Sequence, residues 1–252
     1  MESTKTRILK KLLETDGYLS GQELCEQLGV SRTAVWKYMK QLKEEGYEIE
    51  AVQNKGYCLK DVPDVLGESE IKSRLHTRWA GQTLYYYDEI DSTNTQIKRL
   101  AEEDAPHGTL AVADYQSRGK GRRGRAWDSP HGSAIYMSIL FRPEIRPDRA
   151  SMLTLVIGLS VTQAIRSNLG LQAQIKWPND VVLNGKKLVG ILTEMSAQMN
   201  YIEYLVTGIG INANLREFPE ELEDKATSLQ KEIGHKVNRS APVSYTHLTL
   251  PT

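Results

Sequence analysis

Gln116–Trp127 reads QSRGKGRRGRAW, and the rest of the chain is best understood outward from this stretch. It carries five basic residues, no acidic residue and three interspersed glycines. It does not fit a core strand or an interior helix, because its charges need water or anions and its glycines have no side chain to pack. Glycine lets backbone N–H groups approach an anion closely, and arginine and lysine add directed donors. The stretch therefore predicts either a loop that closes over a phosphate or carboxylate, or a basic patch facing solvent or nucleic acid.

The composition is that of an ordinary globular protein. The 252 residues are enough for one large domain or two unequal ones, with 40% hydrophobic and 25% charged residues. The formal net charge is zero, so any anion site has to be local. We expect Cys25 and Cys58 to be buried thiols, and we expect no resident metal, because a zinc site needs more ligands. No signal peptide and no apolar run long enough to span a bilayer is apparent, which predicts a cytoplasmic protein without membrane contact.

Residues 1–62 are predicted to form a winged helix-turn-helix domain. Apolar residues recur at helical spacing, and serine caps and Gly29 separate three helices. Two short β-like runs follow, joined by an Asn-containing turn that ends in glycine, which indicates a hairpin. The predicted elements are helix Thr4–Thr15, a short helix after the Ser20–Glu23 capping box, helix Arg32–Glu45, and strands Tyr47–Val52 and Gly56–Leu59.

The third helix of such a domain lies in the major groove of DNA, with its N-terminal residues nearest the bases. Residues 1–60 hold ten basic and nine acidic residues, which is a weak electrostatic footprint, so a protein-binding module is the alternative. Small polar and basic residues at the helix start favour DNA. The predicted DNA-binding residues are Ser31, Arg32, Thr33, Trp36 and Lys37 on the helix and Lys55 on the wing.

After a linker at Pro63, residues 63–239 alternate between strand-like and helix-like segments and predict a mixed α/β domain. The basic stretch connects strand Thr109–Tyr115 to the buried strand Ala134–Phe141. Helix Met152–Leu169 is expected to pack through Leu155, Leu159 and Ile165.

Two further stretches are unusual for their polar side chains. Asp91–Asn94 (DSTN) precedes a helix and suits either a helix cap or a site that holds the polar head of a ligand. Lys176–Asp180 (KWPND) forms a rigid turn at its proline. A hairpin turn at Asn184–Gly185 then returns Lys187 beside Asp180. A lysine at the start of a strand is usually only solvated. Lys187 is a candidate site residue because the hairpin brings it back beside Asp180.

Five motifs together resemble the biotin–protein ligases. DSTN, Gln116 with GKGRRGRAW, KWPND, KLVGIL (Lys187–Leu192) and GIGIN (Gly208–Asn212) occur in that family's order and spacing. With the winged helix in front, the chain resembles the bifunctional members, which are both ligase and repressor of the biotin operon. The resemblance covers about residues 1–239. It implies an α+β fold, with the winged helix-turn-helix domain followed by a central mixed α/β ligase domain similar to class II synthetases.

The resemblance also implies an activity. Members of this family join biotin to ATP, with Mg²⁺, to give biotinyl-5′-AMP and pyrophosphate. They then transfer biotin to a lysine of the biotin carboxyl carrier domain of acetyl-CoA carboxylase. The adenylate is also the corepressor, and it favours a homodimer that binds operator DNA.

Site residues follow from the resemblance by position. The implied catalytic residues are Lys187, Arg122 and Asp180. The implied biotin-binding residues are Ser92, Thr93, Asn94, Gln116, Lys120, Gly121, Arg122 and Lys187. The implied nucleotide-binding residues are Arg122, Arg125, Trp127, Lys176, Asn179 and Asn212.

The chain departs from the family at its end. Residues 240–252 read SAPVSYTHLTLPT, with no charged residue, and we expect a foreign or disordered tail in place of the family's C-terminal SH3-like domain. Two other functions stay open at this point. One is a repressor that senses biotin without ligase turnover, and the other is a lipoate-type ligase.

Overall fold

The computed structural model describes residues 3–240, and the chain divides into two compact units, Met1–Arg74 and Leu75–Thr252. The predicted boundary at residue 62 falls inside the first unit. Apart from Ser240, the predicted tail lies outside the described residues.

The first unit contains the predicted winged helix-turn-helix. Its helices are α1 (Thr4–Glu14), α2 (Gly21–Leu28) and α3 (Arg32–Glu44), and its strands are β1 (Glu48–Val52) and β2 (Gly56–Asp61). Ser20 and Ser31 cap their helices by accepting the backbone N–H groups of Glu23 and Ala34, and Gly29 ends α2 in a left-handed conformation. The three helices and the hairpin enclose one apolar core that includes Leu9, Leu24 and Leu42.

A fourth helix, α4 (Glu68–Arg74), completes this unit by packing against α1. Its buried Glu70 accepts a hydrogen bond from the Tyr47 hydroxyl and another from Arg74 Nε at 2.7 Å. These contacts explain why the division between the units falls after Arg74 rather than at the proline of the predicted linker.

The second unit is built on a seven-stranded mixed sheet. Its order is β3-β4-β5-β9-β8-β7-β6, in which β3 and β4 are parallel and the other neighbours are antiparallel. The strands are β3 (Leu84–Ile90), β4 (Leu110–Gln116), β5 (Ala134–Phe141), β6 (Gln174–Lys176), β7 (Asp180–Leu183), β8 (Lys186–Ala197) and β9 (Ile202–Asn212). The helices are α5 (Thr93–Glu102), α6 (Ala150–Leu169) and α7 (Leu229–Ile233).

The two longer helices of this unit cover opposite faces of the sheet. Val206 of β9 belongs to the core beneath α5. The next residue, Thr207, hydrogen-bonds Thr193, which in turn hydrogen-bonds Thr154 of α6. Because consecutive strand residues point to opposite faces, α5 and α6 lie on different sides.

The prediction of which face of α6 is buried is wrong in part. Ile165 is buried, but Leu155 and Leu159 are 39% and 49% exposed, and Ile157 and Val161 are buried instead. The helix carries apolar residues around most of its circumference, so their spacing does not select one face. Pro147–Leu169 is also long and apolar enough to cross a bilayer by length and composition, contrary to our expectation, but α6 packs against β6, β7 and β8.

Candidate active site

The basic stretch folds into a small hairpin between β4 and β5. Trp127 N–H donates to the Gly119 carbonyl at 2.9 Å, and Gly121 N–H donates to the Arg125 carbonyl at 2.7 Å. A 3-10 turn at Arg122–Gly124 forms the tip. Gly119 has to be glycine, because a Cβ there would lie 2.3 Å from the Trp127 carbonyl oxygen. The cations are therefore carried on a hydrogen-bonded hairpin.

The hairpin lies over two glycines of the sheet, and a third glycine on the same face lies beneath Asn94. Gly190 on β8 faces Gly210 on β9, and Leu192 faces Gly208, so these glycines share the face that α5 covers. A Cβ at Gly190 or Gly210 would lie 2.4 or 2.6 Å from the nearest atom of the Trp127 indole. The sheet thus leaves room for the indole to rest directly on its backbone.

A cavity opens between the hairpin, this glycine floor and the start of α5. Its lining includes all eight predicted biotin-binding residues and adds residues from β5, β8 and β9. The lining residues are Ser92, Thr93, Asn94, Gln116, Lys120, Gly121, Arg122, Trp127, Tyr136, Met137, Asn179, Lys187, Gly190, Ile191, Leu192, Gly208, Ile209 and Gly210.

The inner end of the cavity is a buried hydrogen-bond network without formal charge. Gln116 Oε1 accepts from Thr93 N–H at 2.8 Å and lies 3.1 Å from Thr93 Oγ1. Ser138 Oγ lies 2.7 Å from Thr93 Oγ1 and 2.6 Å from Asn94 Oδ1. Ser92 precedes the helix, and its hydroxyl makes no capping hydrogen bond. Ser92, Thr93 and Asn94 of the DSTN stretch thus line the cavity as well as marking the start of α5.

The Asn94 amide is anchored from β8. Its Nδ2 donates to Glu194 Oε2 at 2.8 Å, and Lys98 Nζ lies 2.6 Å from Glu194 Oε1. Partial burial alone would raise the pKa of Glu194, but the hydrogen bonds from Lys98 and Asn94 outweigh it and hold that pKa below its usual range. Glu194 is thus an ionised anchor that orients the amide.

The outer end of the cavity is cationic. Lys187 Nζ lies 2.7 Å from Asp180 Oδ1 and 5.3 Å from the centroid of the Trp127 ring. Arg122 Nη1 donates to Asn179 Oδ1 at 2.9 Å, and Asn179 Nδ2 donates to the Ile191 carbonyl at 3.0 Å. The buried Trp127 Nε1 has no hydrogen-bond partner among the described residues. This end therefore presents the Lys187 and Arg122 cations to an anionic ligand, while the indole N–H edge lies against the floor at Gly210.

A second cavity adjoins the outer end, between the hairpin and the KWPND turn. Arg125 and Asp180 line it. It shares five residues with the first cavity: Gly121, Arg122, Trp127, Asn179 and Lys187. The two cavities together form one site with a neutral inner end and a charged outer end.

Comparison with known proteins agrees with this arrangement. Residues 86–212 match the biotin/lipoate A/B protein ligase family, and residues 4–58 match an HTH domain. The bifunctional ligase/repressor BirA of Bacillus subtilis is 45% identical over 249 residues, which is 97% of this chain and 77% of that protein. The protein of the same name in Escherichia coli is 34% identical, covering 91% of this chain and 70% of that one. The chain belongs to the bifunctional biotin ligase/repressor family.

A solved biotin protein ligase is also similar to this chain. Biotin protein ligase from Aquifex aeolicus, in complex with biotin and ATP, is 37% identical with a TM-score of 0.56, over 67% of this chain and 70% of that one. The α+β fold predicted for this ligase/repressor, a winged helix-turn-helix followed by a mixed α/β domain, is confirmed.

Two predicted residues of this ligase/repressor lie outside both cavities. Lys176 is exposed on edge strand β6. Asn212 is buried at the end of β9, and its Nδ2 donates to the Thr227 carbonyl at 3.1 Å. Their assignment to the nucleotide remains a prediction.

Sequence reasoning missed the residues behind the cavity wall. Ser138 lies inside the otherwise apolar strand AIYMSILF, and Glu194 interrupts the apolar run of β8. A polar residue inside a buried strand was the available signal, because such a residue needs a partner. Lys98 and Ser129, whose hydroxyl accepts from Gln116 Nε2 at 3.0 Å, carried no comparable signal.

The first unit of the ligase/repressor presents all six predicted DNA-binding residues at its surface. Trp36 is 61% exposed on α3, although Val35 beside it is buried. Arg32 reaches back to α2, where its Nη2 donates to Gln22 Oε1 at 2.8 Å. Ser31, Thr33 and Lys37 are exposed on the same helix start, and Lys55 is exposed in the wing turn. Both cysteines of this unit are free thiols, Cys58 buried and Cys25 half-buried.

Proposed function

We propose that this chain activates biotin with ATP to biotinyl-5′-AMP and then transfers biotin to a lysine of a carboxylase carrier domain. One observation carries the proposal: a single cavity joins a neutral hydrogen-bonding end to a cationic end on a glycine floor. Biotin has a neutral polar ring at one end and a carboxylate at the other, so the polarity of the cavity matches that of the substrate.

The neutral end would hold the ring. Ser92, Thr93, Asn94 and Gln116 offer hydroxyl and amide groups whose positions are fixed by buried partners. Such preorganised polar groups favour a ligand that satisfies them and reject one that leaves them unpaired. This favours biotin over lipoate, whose dithiolane ring has no comparable hydrogen-bonding groups.

The cationic end would hold the carboxylate and the α-phosphate. In the first step a carboxylate oxygen attacks the α-phosphorus, and pyrophosphate leaves with the bonding electron pair. Negative charge accumulates on the phosphoryl oxygens, and fixed cations stabilise it. Lys187 and Arg122 are the groups proposed for this role, with Lys120 and Gly121 closing the hairpin over the substrate.

The nucleotide would extend into the adjoining cavity. Trp127 offers a ring face there, with Arg122, Arg125 and Asn179 nearby. Lys176 and Asn212 are the more distant candidates. Mg²⁺ would arrive bound to ATP. Phosphate oxygens and water usually supply most of its ligands, and the protein adds one or two carboxylates. Asp180 is proposed either to bind Mg²⁺ or to orient the acceptor lysine.

The second step and the regulation use the same adenylate. The amine of the carrier lysine attacks the acyl carbon of the mixed anhydride, an amide forms, and AMP leaves. We propose that unconsumed adenylate favours a homodimer, whose paired winged helices bind a two-fold operator in the cytoplasm. The exposed residues at the start of α3 support DNA as the partner of the first unit.

Biotin-dependent exchange of labelled pyrophosphate into ATP tests the first step directly. We expect exchange with the 252-residue chain, and a loss of about 10²- to 10³-fold in Lys187→Ala, comparable to removing one oxyanion-type donor. Lys186→Ala, one residue earlier on the same strand, is the matched control and should keep the wild-type rate. Biotin binding without any exchange would support a repressor that only senses biotin.

A further inference from the structure

Lys187 lies where β8 changes neighbours. Pairing between β8 and β9 begins at Val189 and Ile211, so β9 does not reach Lys187. A later segment takes that place: Lys187 N–H donates to the Lys225 carbonyl at 2.8 Å, and Thr227 N–H donates to the Lys187 carbonyl at 2.9 Å. On the other side, Lys187 pairs with Val182 of β7, next to an irregularity in the register. The backbone of Lys187 is therefore held from two sides.

Glu232 ties these two sides together. Thr227 Oγ1 donates to its Oε1 at 2.6 Å, and Asn184 Nδ2 donates to its Oε2 at 2.7 Å. Thr227 is 2% exposed and belongs to the segment that flanks Lys187. Asn184, with a φ of 51°, begins the turn between β7 and β8. One carboxylate thus bridges the turn and the flanking segment.

We propose that Glu232 is a positioning residue for Lys187. The inference rests on the proposed function, because it assumes that the Lys187 amine meets the reacting groups. Glu232 lines neither cavity, so it acts by fixing the strand start from which Lys187 reaches Asp180 and the Trp127 ring. Without it the start of β8 keeps its backbone hydrogen bonds but loses the bridge between the turn and the segment, and the amine shifts relative to a substrate held at the neutral end.

The kinetic test compares Glu232→Ala, Glu232→Gln and the control Glu220→Ala, an exposed carboxylate in the same connection. In pyrophosphate exchange, Glu232→Ala should lower kcat about ten- to a hundredfold, the order expected when a reacting group is misplaced by about 1 Å. The biotin Kd without ATP should change far less, because the neutral end is intact. Glu232→Gln should recover most of kcat, since its oxygen accepts from Thr227 and its amide can donate to a flipped Asn184 side chain.

Hydrogen exchange provides a readout that does not depend on turnover. The Lys187 and Thr227 amides should exchange faster in Glu232→Ala, while amides of β5 and the melting temperature stay near wild type. If Glu232→Ala does not fold, Thr227→Val removes one of the two hydrogen bonds and is measured instead. Wild-type kcat in a folded Glu232→Ala, or equal losses in the alanine and glutamine variants, would overturn the inference. Absence of pyrophosphate exchange in the wild type would instead overturn the proposed function, and this inference with it.

Discussion

At the scale of single residues, the site depends on glycines, because a residue without a side chain leaves room for its neighbours. The three floor glycines share one sheet face, and each would collide with a neighbour if it carried a Cβ. At Gly208 that Cβ would lie 2.1 Å from Asn94 Oδ1. The Asn94 amide cannot yield easily, because it is held by Ser138 and Glu194. The absence of a side chain at Gly208 is what lets the amide reach its position at the neutral end.

Gly208→Ala is therefore expected to weaken biotin binding. The added methyl group displaces the Asn94 amide, and the ligand then loses a hydrogen bond worth about 1.4 kcal/mol. The biotin Kd should therefore rise about tenfold by titration calorimetry. Gly158→Ala is the matched control, since a Cβ there lies 3.7 Å from Ile191 Cδ1, an ordinary contact, and its helix lies on the other face. Wild-type biotin affinity in a folded Gly208→Ala would show that Asn94 does not contribute.

At the scale of secondary-structure elements, Glu194 joins α5 to the interior strand β8. Its folded-state pKa is depressed, so its contribution to stability is present above the ordinary carboxyl pKa and is lost as the pH falls through the lower folded value. Acidification from neutral pH to about pH 3 should therefore lower the melting temperature of the wild type more than that of Glu194→Gln. Glu217→Gln, at an exposed position, should follow the wild type. If the melting temperatures of the wild type and Glu194→Gln fell in parallel as the pH is lowered, Glu194 would not act as an ionised anchor.

Local signals made some elements predictable and left others open. The bounds of helices α1 to α3 agree with the prediction to within one or two residues. Their serine caps and Gly29 bond only to residues close in sequence, so these bounds can be recognised locally. The basic stretch is a hairpin because Gly119 meets Trp127 and Gly121 meets Arg125, and charge and glycine content do not encode those bonds. The face of α6 was missed because an evenly apolar helix has no preferred side until the sheet is in place.

At the scale of the whole molecule, zero net charge conceals local specialisation. The first unit exposes a tryptophan and basic residues at the start of one helix, and the second gathers its cations around a cavity. Each unit has its own compact core. Substitutions on the surface of the first are therefore expected to leave the chemistry of the second unchanged, so DNA binding and ligation should be separable by mutation.

Arg32→Ala tests this separation. A duplex selected by the wild type from a randomised library, with biotin and ATP present, is the probe. The variant should bind it about 1–3 kcal/mol more weakly if Arg32 contacts a base, whereas a phosphate contact would weaken all sequences alike and reduce the salt slope by about one. Pyrophosphate exchange should be unchanged. Lys11→Ala removes a charge from α1 instead of α3 and should alter neither the DNA affinity nor the pyrophosphate exchange. If Arg32→Ala loses exchange as well, the units are coupled through folding and the DNA contact is not established. If its DNA affinity is unchanged, the recognition surface lies elsewhere on the first unit.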